Sequence, residues 1–277
     1  PTIRAIRAGK TIALANKETL VVAGDIVTRE KEIFGVDIIP VDSEHSAIYQ
    51  CLHGEDCNTV ERLWITASGG PFRCVEPSRL AGMKASDALR HPNWSMGAKI
   101  TVDSATMVNK SFEIIEARWL FGIPGERISA VVHPQSIVHS MVEYRDGALK
   151  AQLGVPDMHL PIRYALAGSR RLELPSVERR LTVADMSHLT FEEPDVEKFP
   201  GIALGHYALQ HGGNTACVIN AANEIAVDAF LHDRIGFTDI VRIIEKTLER
   251  ADYVPAPTLD DYVESNTQAR RIAAGLI

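Results

Sequence analysis

Two acidic segments carry the side chains best suited to chemistry: Val41-Asp42-Ser43-Glu44-His45 and, sixty residues on, Thr101-Val102-Asp103-Ser104-Ala105-Thr106-Met107-Val108-Asn109-Lys110-Ser111-Phe112-Glu113. Asp42, Glu44 and Glu113 offer carboxylates, and carboxylate oxygens with water suit magnesium or manganese, whereas zinc prefers nitrogen and sulfur. Asp42 and Glu44 follow a run that reads as a strand, where positions i and i+2 project the same way and can approach one ion. Taken alone, such a pair also marks a solvated turn. After Asp103 a helix is expected to begin with Ser104 as its N-cap and to run to Phe121, with Val108, Phe112, Ile115 and Trp119 as its buried stripe. At about 100° per residue, Asn109, Lys110 and Glu113 then share a sector of about 100° on another face, which lets Glu113 point toward Asp42 and Glu44. Ser104, Asn109 and Lys110 bring a hydroxyl, an amide and an ammonium, an anion pocket fit for a phosphate. The other reading of that face is a solvated surface with a Lys-Glu pair. Together these residues suit a metal-dependent enzyme acting on a phosphorylated, sugar-like substrate.

Other positions are candidates by place and type. Ser68 follows a strand in the turn Ser68-Gly69-Gly70-Pro71, where hydroxyl and backbone donors can meet a phosphate, although a plain tight turn reads the same way. His91 stands in a long irregular stretch with Trp94 and Met96; it is suited to binding an anion or moving a proton, or is polar surface, while Trp94 closes over a ligand or plugs a core. Asn16-Lys17-Glu18 follows the first strand, and ligands collect at the carboxyl ends of strands in open α/β sheets; Asn16 as a helix cap with Glu18 in the first turn fits equally. His133 and His139 on an apolar strand read as structural. Asn220-Ala221-Ala222-Asn223-Glu224 reads as a helix interface without chemistry.

The elements that must position these side chains fall into an α/β part and an all-α part. Pro1 to Gly9 has helical character, Thr11-Ile12-Ala13-Leu14-Ala15 fits a buried strand, Glu18 to Phe34 a helix closed by Gly35, and Val36 to Val41 a second strand. This is the tail of a doubly wound parallel sheet, and so short a sheet cannot bury a core, so further strands are expected to precede it. No GxGxxG occurs. Leu63 to Ala67 reads as a strand, and Arg127 to Tyr144 with Ala148 to Leu153 as a hairpin through an Asp-Gly turn. Helical patterns at Gly201 to His211, Thr215 to His232, Thr238 to Arg250 and Thr258 to Ala274 form a small antiparallel bundle. The expected division is therefore 1–41, the end of a nucleotide-binding domain; 42–168, an α+β catalytic domain; 169–200, a connector; and 201–277, the helical bundle.

Composition bounds the possibilities. A hydrophobic fraction of 45% and a charged fraction of 23% are those of an ordinary globular protein. The net charge of -7 supplies no basic face for nucleic acid. No apolar run approaches the roughly 18 residues that span a bilayer, and no signal-peptide pattern is present, so a cytoplasmic protein without a membrane partner is expected. Cys51, Cys57, Cys74 and Cys217 form no CxxC pair and are expected to be reduced thiols.

The order of Leu14-Ala15-Asn16-Lys17-Glu18, Val41-Asp42-Ser43-Glu44-His45, Ser68-Gly69-Gly70-Pro71-Phe72-Arg73, His91-Pro92-Asn93-Trp94-Ser95-Met96-Gly97, Val102-Asp103-Ser104-Ala105-Thr106-Met107 with Asn109-Lys110, and His133-Pro134-Gln135-Ser136 resembles the 1-deoxy-D-xylulose 5-phosphate reductoisomerases, NADPH-dependent enzymes of the non-mevalonate isoprenoid pathway. The resemblance runs through the whole chain but lacks the glycine-rich nucleotide-binding domain with which family members begin. It implies that Asp42, Glu44 and Glu113 hold Mn2+ or Mg2+, with Co2+ as an alternative. Ser68, Ser104, Asn109 and Lys110 would bind the substrate phosphate with His91 beside it, Lys17 and Ser43 would contact the sugar portion, and Asn16, Glu18 and Gly97 would touch NADPH. Lys17, Glu44 and His91 are the expected catalytic residues, and a homodimer the expected assembly. The implied reaction is rearrangement of a phosphorylated ketose followed by hydride reduction, and this chain alone is expected not to turn over. The alternatives are a cofactor-free metal-dependent sugar-phosphate isomerase or aldolase, and a non-catalytic dimerising fragment.

Overall fold

The computed structural model describes residues 1–90, 94 and 96–277; His91 lies outside the described residues. The chain forms two compact units, one made of Pro1–Lys17, Val27–Ser68 and Ala117–Pro194, the other of Glu18–Ile26, Gly69–Glu116 and Asp195–Ile277.

In chain order, helix α1 (Thr2–Arg7), strand β1 (Ile12–Leu14), helix α2 (Glu18–Phe34) and strand β2 (Ile38–Pro40) fall where the apolar pattern places them. Helix α3 (Ser43–Leu52) follows directly, and strand β3 (Val60–Ala67) leads into a stretch that is irregular apart from a 3-10 turn at Pro77–Gly82 and helix α4 (Ala85–Ala88). The single helix expected from Ser104 to Phe121 is two helices, α5 (Ala98–Thr106) and α6 (Val108–Phe121), because Met107 between them takes φ 63° in the left-handed region. Ser104 is therefore in the last turn of α5 and is no N-cap. The expected Arg127–Tyr144 strand is also two, β4 (Ile128–Val132) and β5 (Val138–Tyr144), parted by a turn that contains Pro134 and a left-handed Ser136. Strand β6 (Leu149–Leu153), helix α7 (His159–Leu166) and a short helix α8 (Val183–Met186) precede the final four helices, α9 (Ala203–His211), α10 (Thr215–Leu231), α11 (Asp239–Arg250) and α12 (Leu259–Ala274).

In the first unit β1 and β2 pair in parallel, Ile12 opposite Ile38 through Leu14 opposite Pro40. A second sheet has the order β4-β3-β5-β6, with β3 parallel to β4 and antiparallel to β5, and with β5 and β6 forming the Asp146-Gly147 hairpin. Helix α3 packs on β5 and β6. Its seat is apolar: Ile48, Leu63, Ile65 and Val142 are fully buried, and the Tyr144 hydroxyl donates to the Cys51 carbonyl at 2.9 Å. Strand β3 alternates between partly exposed Arg62 and Trp64 and buried Leu63 and Ile65, whereas β5 is buried at every position except Glu143.

The second unit is built around α10, which packs against α5, α9, α11 and α12. Most of α10 is buried around its whole circumference, as a central helix must be. By contrast, α11 buries only one stripe, Ile240, Val241, Ile243, Ile244 and Thr247. The α12 start is fixed by a capping box in which Thr258 and Asp261 satisfy each other's amides. Phe72 meets Phe237 edge-on at 4.8 Å between centroids and joins the loop after β3 to the bundle.

Candidate active site

In the first unit the candidate residues gather where β1 and β2 end. Asp42 is the N-cap of α3, and its carboxylate accepts from the amides of Glu44 and His45 at 3.1 and 3.5 Å. The expected strand-like projection of Asp42 and Glu44 gives way to a helix cap and first turn. That placement suits negative charge, because exposed amides and the helix dipole favour anions there. Lys17, with only 8% of its side chain exposed, lies 2.7 Å from Asp42, and the His45 ring is 3.2 Å from the same carboxylate. The buried Ser43 hydroxyl donates to Glu44. Lys17 immediately precedes α2 with helical φ -61° and ψ -32°, and Asn16 lies one residue before it. Ser68 is the first residue after β3 and is half-buried. The structure therefore brings Lys17, Asp42, Ser43 and Glu44 together.

His133 and His139 lie in the same unit, and His133 is structural. Its Nε2 accepts from the amides of Ile137 and Val138 at 3.2 and 3.1 Å, and its Nδ1 donates to the Thr190 carbonyl at 2.9 Å. Burial lowers its pKa, consistent with a neutral ring that must accept at one nitrogen. His139 is buried on β5.

In the second unit, Asn109, Lys110 and Glu113 share one face of α6, as the helical spacing requires. The Asn109 amide donates to one oxygen of Glu113, and the Lys110 ammonium sits 2.5 Å from the other. All three are buried, which rules out the solvated-surface reading of this face. In the expected stripe Val108, Phe112 and Ile115 are buried and Trp119 is only half-buried. Ser104 is half-buried in α5, and Gly70 backs directly onto it: a Cβ on Gly70 would lie 2.6 Å from the Ser104 carbonyl oxygen. Only glycine tolerates that approach.

Around these residues runs a network in which only Glu18 carries a functional expectation from its place after β1. Lys99, in the first turn of α5, lies 3.0 Å from Glu18 and 2.9 Å from Asp103. Asp103 also accepts from the Asn223 amide of α10 at 2.8 Å. Burial opposes the charge on Lys99, but Asp103 and Glu18 outweigh it and raise its pKa. Burial raises the Asp103 pKa, against the opposing effects of Lys99 and Asn223. Gly97, the exposed N-cap of α5, accepts from the Thr101 hydroxyl at 2.8 Å.

The mixed α/β fold matches one class of solved enzymes. A 1-deoxy-D-xylulose 5-phosphate reductoisomerase from Zymomonas mobilis, solved with NADPH, aligns with a TM-score of 0.92 at 46% identity over 99% of this chain and 71% of that one. A DOX-P reductoisomerase solved with NADPH, fosmidomycin and magnesium also gives 0.92, at 41% identity over 99% of this chain and 72% of that one. By sequence, the reductoisomerase of Bacteroides thetaiotaomicron is 55% identical over 277 residues, 100% of this chain and 70% of that protein. That of Prosthecochloris aestuarii is 54% identical over 276 residues, 100% of this chain and 72% of that protein. Residues 38–121 match the 1-deoxy-D-xylulose 5-phosphate reductoisomerase C-terminal domain, residues 153–272 the DXP reductoisomerase C-terminal domain, and residues 1–24 the 1-deoxy-D-xylulose 5-phosphate reductoisomerase family. The chain belongs to the 1-deoxy-D-xylulose 5-phosphate reductoisomerase family.

Proposed function

We propose that this chain serves the reductoisomerase reaction of the non-mevalonate pathway: metal-dependent rearrangement of 1-deoxy-D-xylulose 5-phosphate, then NADPH reduction to 2-C-methyl-D-erythritol 4-phosphate. The observation that carries the reading is 55% identity to a reductoisomerase along the whole chain. Asp42, Glu44 and Glu113 hold the divalent cation, and their all-oxygen donor set fits Mg2+ or Mn2+, with Co2+ the next fit. The cation supplies Lewis-acid stabilisation of oxyanion charge and NADPH supplies the hydride.

The chain's own residues bind and orient. Ser68, Ser104, Asn109 and Lys110 anchor the phosphate with His91 beside it, which fixes the reacting carbons. Lys17 and Ser43 hold the sugar oxygens, and the Lys17 ammonium, desolvated beside Asp42, adds fixed positive charge where oxyanion character develops. Asn16, Glu18 and Gly97 contact NADPH, and residues 1–41 belong to the parallel sheet of its domain. The assembly is a cytoplasmic homodimer. The apolar side chains of Leu149 and Leu153 on the edge strand β6 support a partner on that side, and among the described residues no helix is long and apolar enough to cross a membrane.

Calorimetry with Mn2+ and 1-deoxy-D-xylulose 5-phosphate tests the reading. Asp42→Asn and Glu113→Gln should each weaken Mn2+ binding by at least about tenfold. Conversion of the ketose phosphate without NADPH oxidation would favour an isomerase or aldolase, and no heat in any variant would leave only a scaffold.

A further inference from the structure

The buried network in the second unit has one fixed end and one accessible end. Asn223 is fully buried on α10, and Asp103 on α5 is 1% exposed. The Asn223 amide group faces Asp103 at 2.8 Å, while its carbonyl oxygen has no hydrogen-bond partner among the described residues. Reversing the amide would set that oxygen against a carboxylate, so the orientation is fixed by Asp103. From Asp103 the chain of contacts passes to Lys99 at 2.9 Å and then to Glu18 at 3.0 Å. The far members are more exposed than Asp103: the side chains of Lys99 and Glu18 are 32% and 28% exposed. The Lys99 ammonium also lies 5.0 Å from the centroid of the Phe112 ring on α6, which limits where its stem can swing. Gly97, two positions before Lys99, is exposed. Glu18, one of the three residues read as cofactor contacts, therefore stands at the accessible end of a network rooted in the bundle.

We propose that Lys99 is a positioning residue for the NADPH half of the reaction: anchored by Asp103 and Asn223, it holds the Glu18 carboxylate at a fixed place. It acts through Glu18 and need not touch substrate or cofactor. A lysine tethered at one end by a buried carboxylate has lost most of its freedom, so a second ion pair formed by it costs little further ordering. The proposal rests on the reading of Glu18 as a cofactor contact.

The test measures KM for NADPH and kcat in the whole enzyme for Lys99→Met, Lys99→Arg, Glu18→Gln and the Lys99→Met/Glu18→Gln double variant. The expected result is that Lys99→Met raises KM for NADPH by roughly twofold to fivefold, the range a partly exposed ion pair carries, and affects kcat less. Lys99→Arg should restore most of it, and Lys99→Met should add nothing in the Glu18→Gln background. If Glu18→Gln raises KM for NADPH while Lys99→Met lowers only the unfolding midpoint, or if the two effects on KM multiply, the proposal is overturned and the functional reading stands. If Glu18→Gln leaves KM for NADPH unchanged, the reading of Glu18 as a cofactor contact fails and the proposal falls with it. Lys99→Gln takes the place of Lys99→Met if the methionine variant does not fold, and is judged by the same outcomes.

Discussion

Asp42 accepts from two backbone amides, pairs with Lys17 at 2.7 Å and stands 3.2 Å from the ring of His45. A carboxylate so supplied is held in one orientation, and Lys17 competes for it with any cation that approaches. Lys17→Ala should therefore leave the affinity for Mn2+ alone unchanged or raise it by up to about tenfold, while substrate affinity falls; both are read by calorimetry. A parallel loss of both would show that Lys17 supports the cation instead. At this scale the sequence is legible by side-chain type: Asp42, Glu44 and Glu113 stand out as hard donors, and helical spacing alone brings Asn109, Lys110 and Glu113 to one face. The pair Lys99–Asp103 has the i,i+4 spacing that could have revealed it. Asn223 gave no signal, because its partner is 120 positions away and nothing local distinguishes it from a helix-interface asparagine.

Helices α5 and α6 meet at Met107, and α9 crosses α6 at close range. The Ser111 hydroxyl donates to the carbonyls of Gly201 and Ile202 and accepts from the Gly205 amide, and a Cβ on Gly205 would lie 2.7 Å from the Ser111 carbonyl oxygen. Backbone against backbone leaves no flexible side chain to give way. Gly205→Ala should cost about 1–3 kcal/mol, seen as a lower urea midpoint with unchanged slope. Met107→Gly sets two effects against each other: it relieves a left-handed non-glycine residue, worth about 1 kcal/mol, but empties a buried side chain, worth about 2–5 kcal/mol. Burial wins, and the variant should be less stable. The ends of α2 and of the four last helices are readable from periodicity and caps to within about two residues. The break at Met107 is not, since neither glycine nor proline marks it.

For the whole molecule, the cysteines divide by environment. Cys57 and Cys74 are exposed, whereas Cys51 and Cys217 are buried, with burial pushing their thiols up to about 11 and about 12. A thiol reagent at neutral pH should modify Cys57 and Cys74 quickly and the other two only on unfolding, as peptide mapping would show. Stability should also respond to acid. Burial holds His133 and His206 below the ordinary value of 6.5, so below that pH the unfolded chain takes up their protons before the folded chain does. Their contribution is complete above pH 6.5 and is lost as pH falls toward the folded-state values, which denaturant midpoints across that window would measure. His133→Gln should flatten the slope. The contact between Asp103 and Asn223 gives the fold an order in time. A ribosome adding about 5–20 residues per second completes α5 roughly 6–24 s before the asparagine that secures it has been made. During synthesis, therefore, the lysine network at the start of α5 waits for a helix not yet translated, whereas the pairing of Asp42 with Lys17 and His45 joins residues already made.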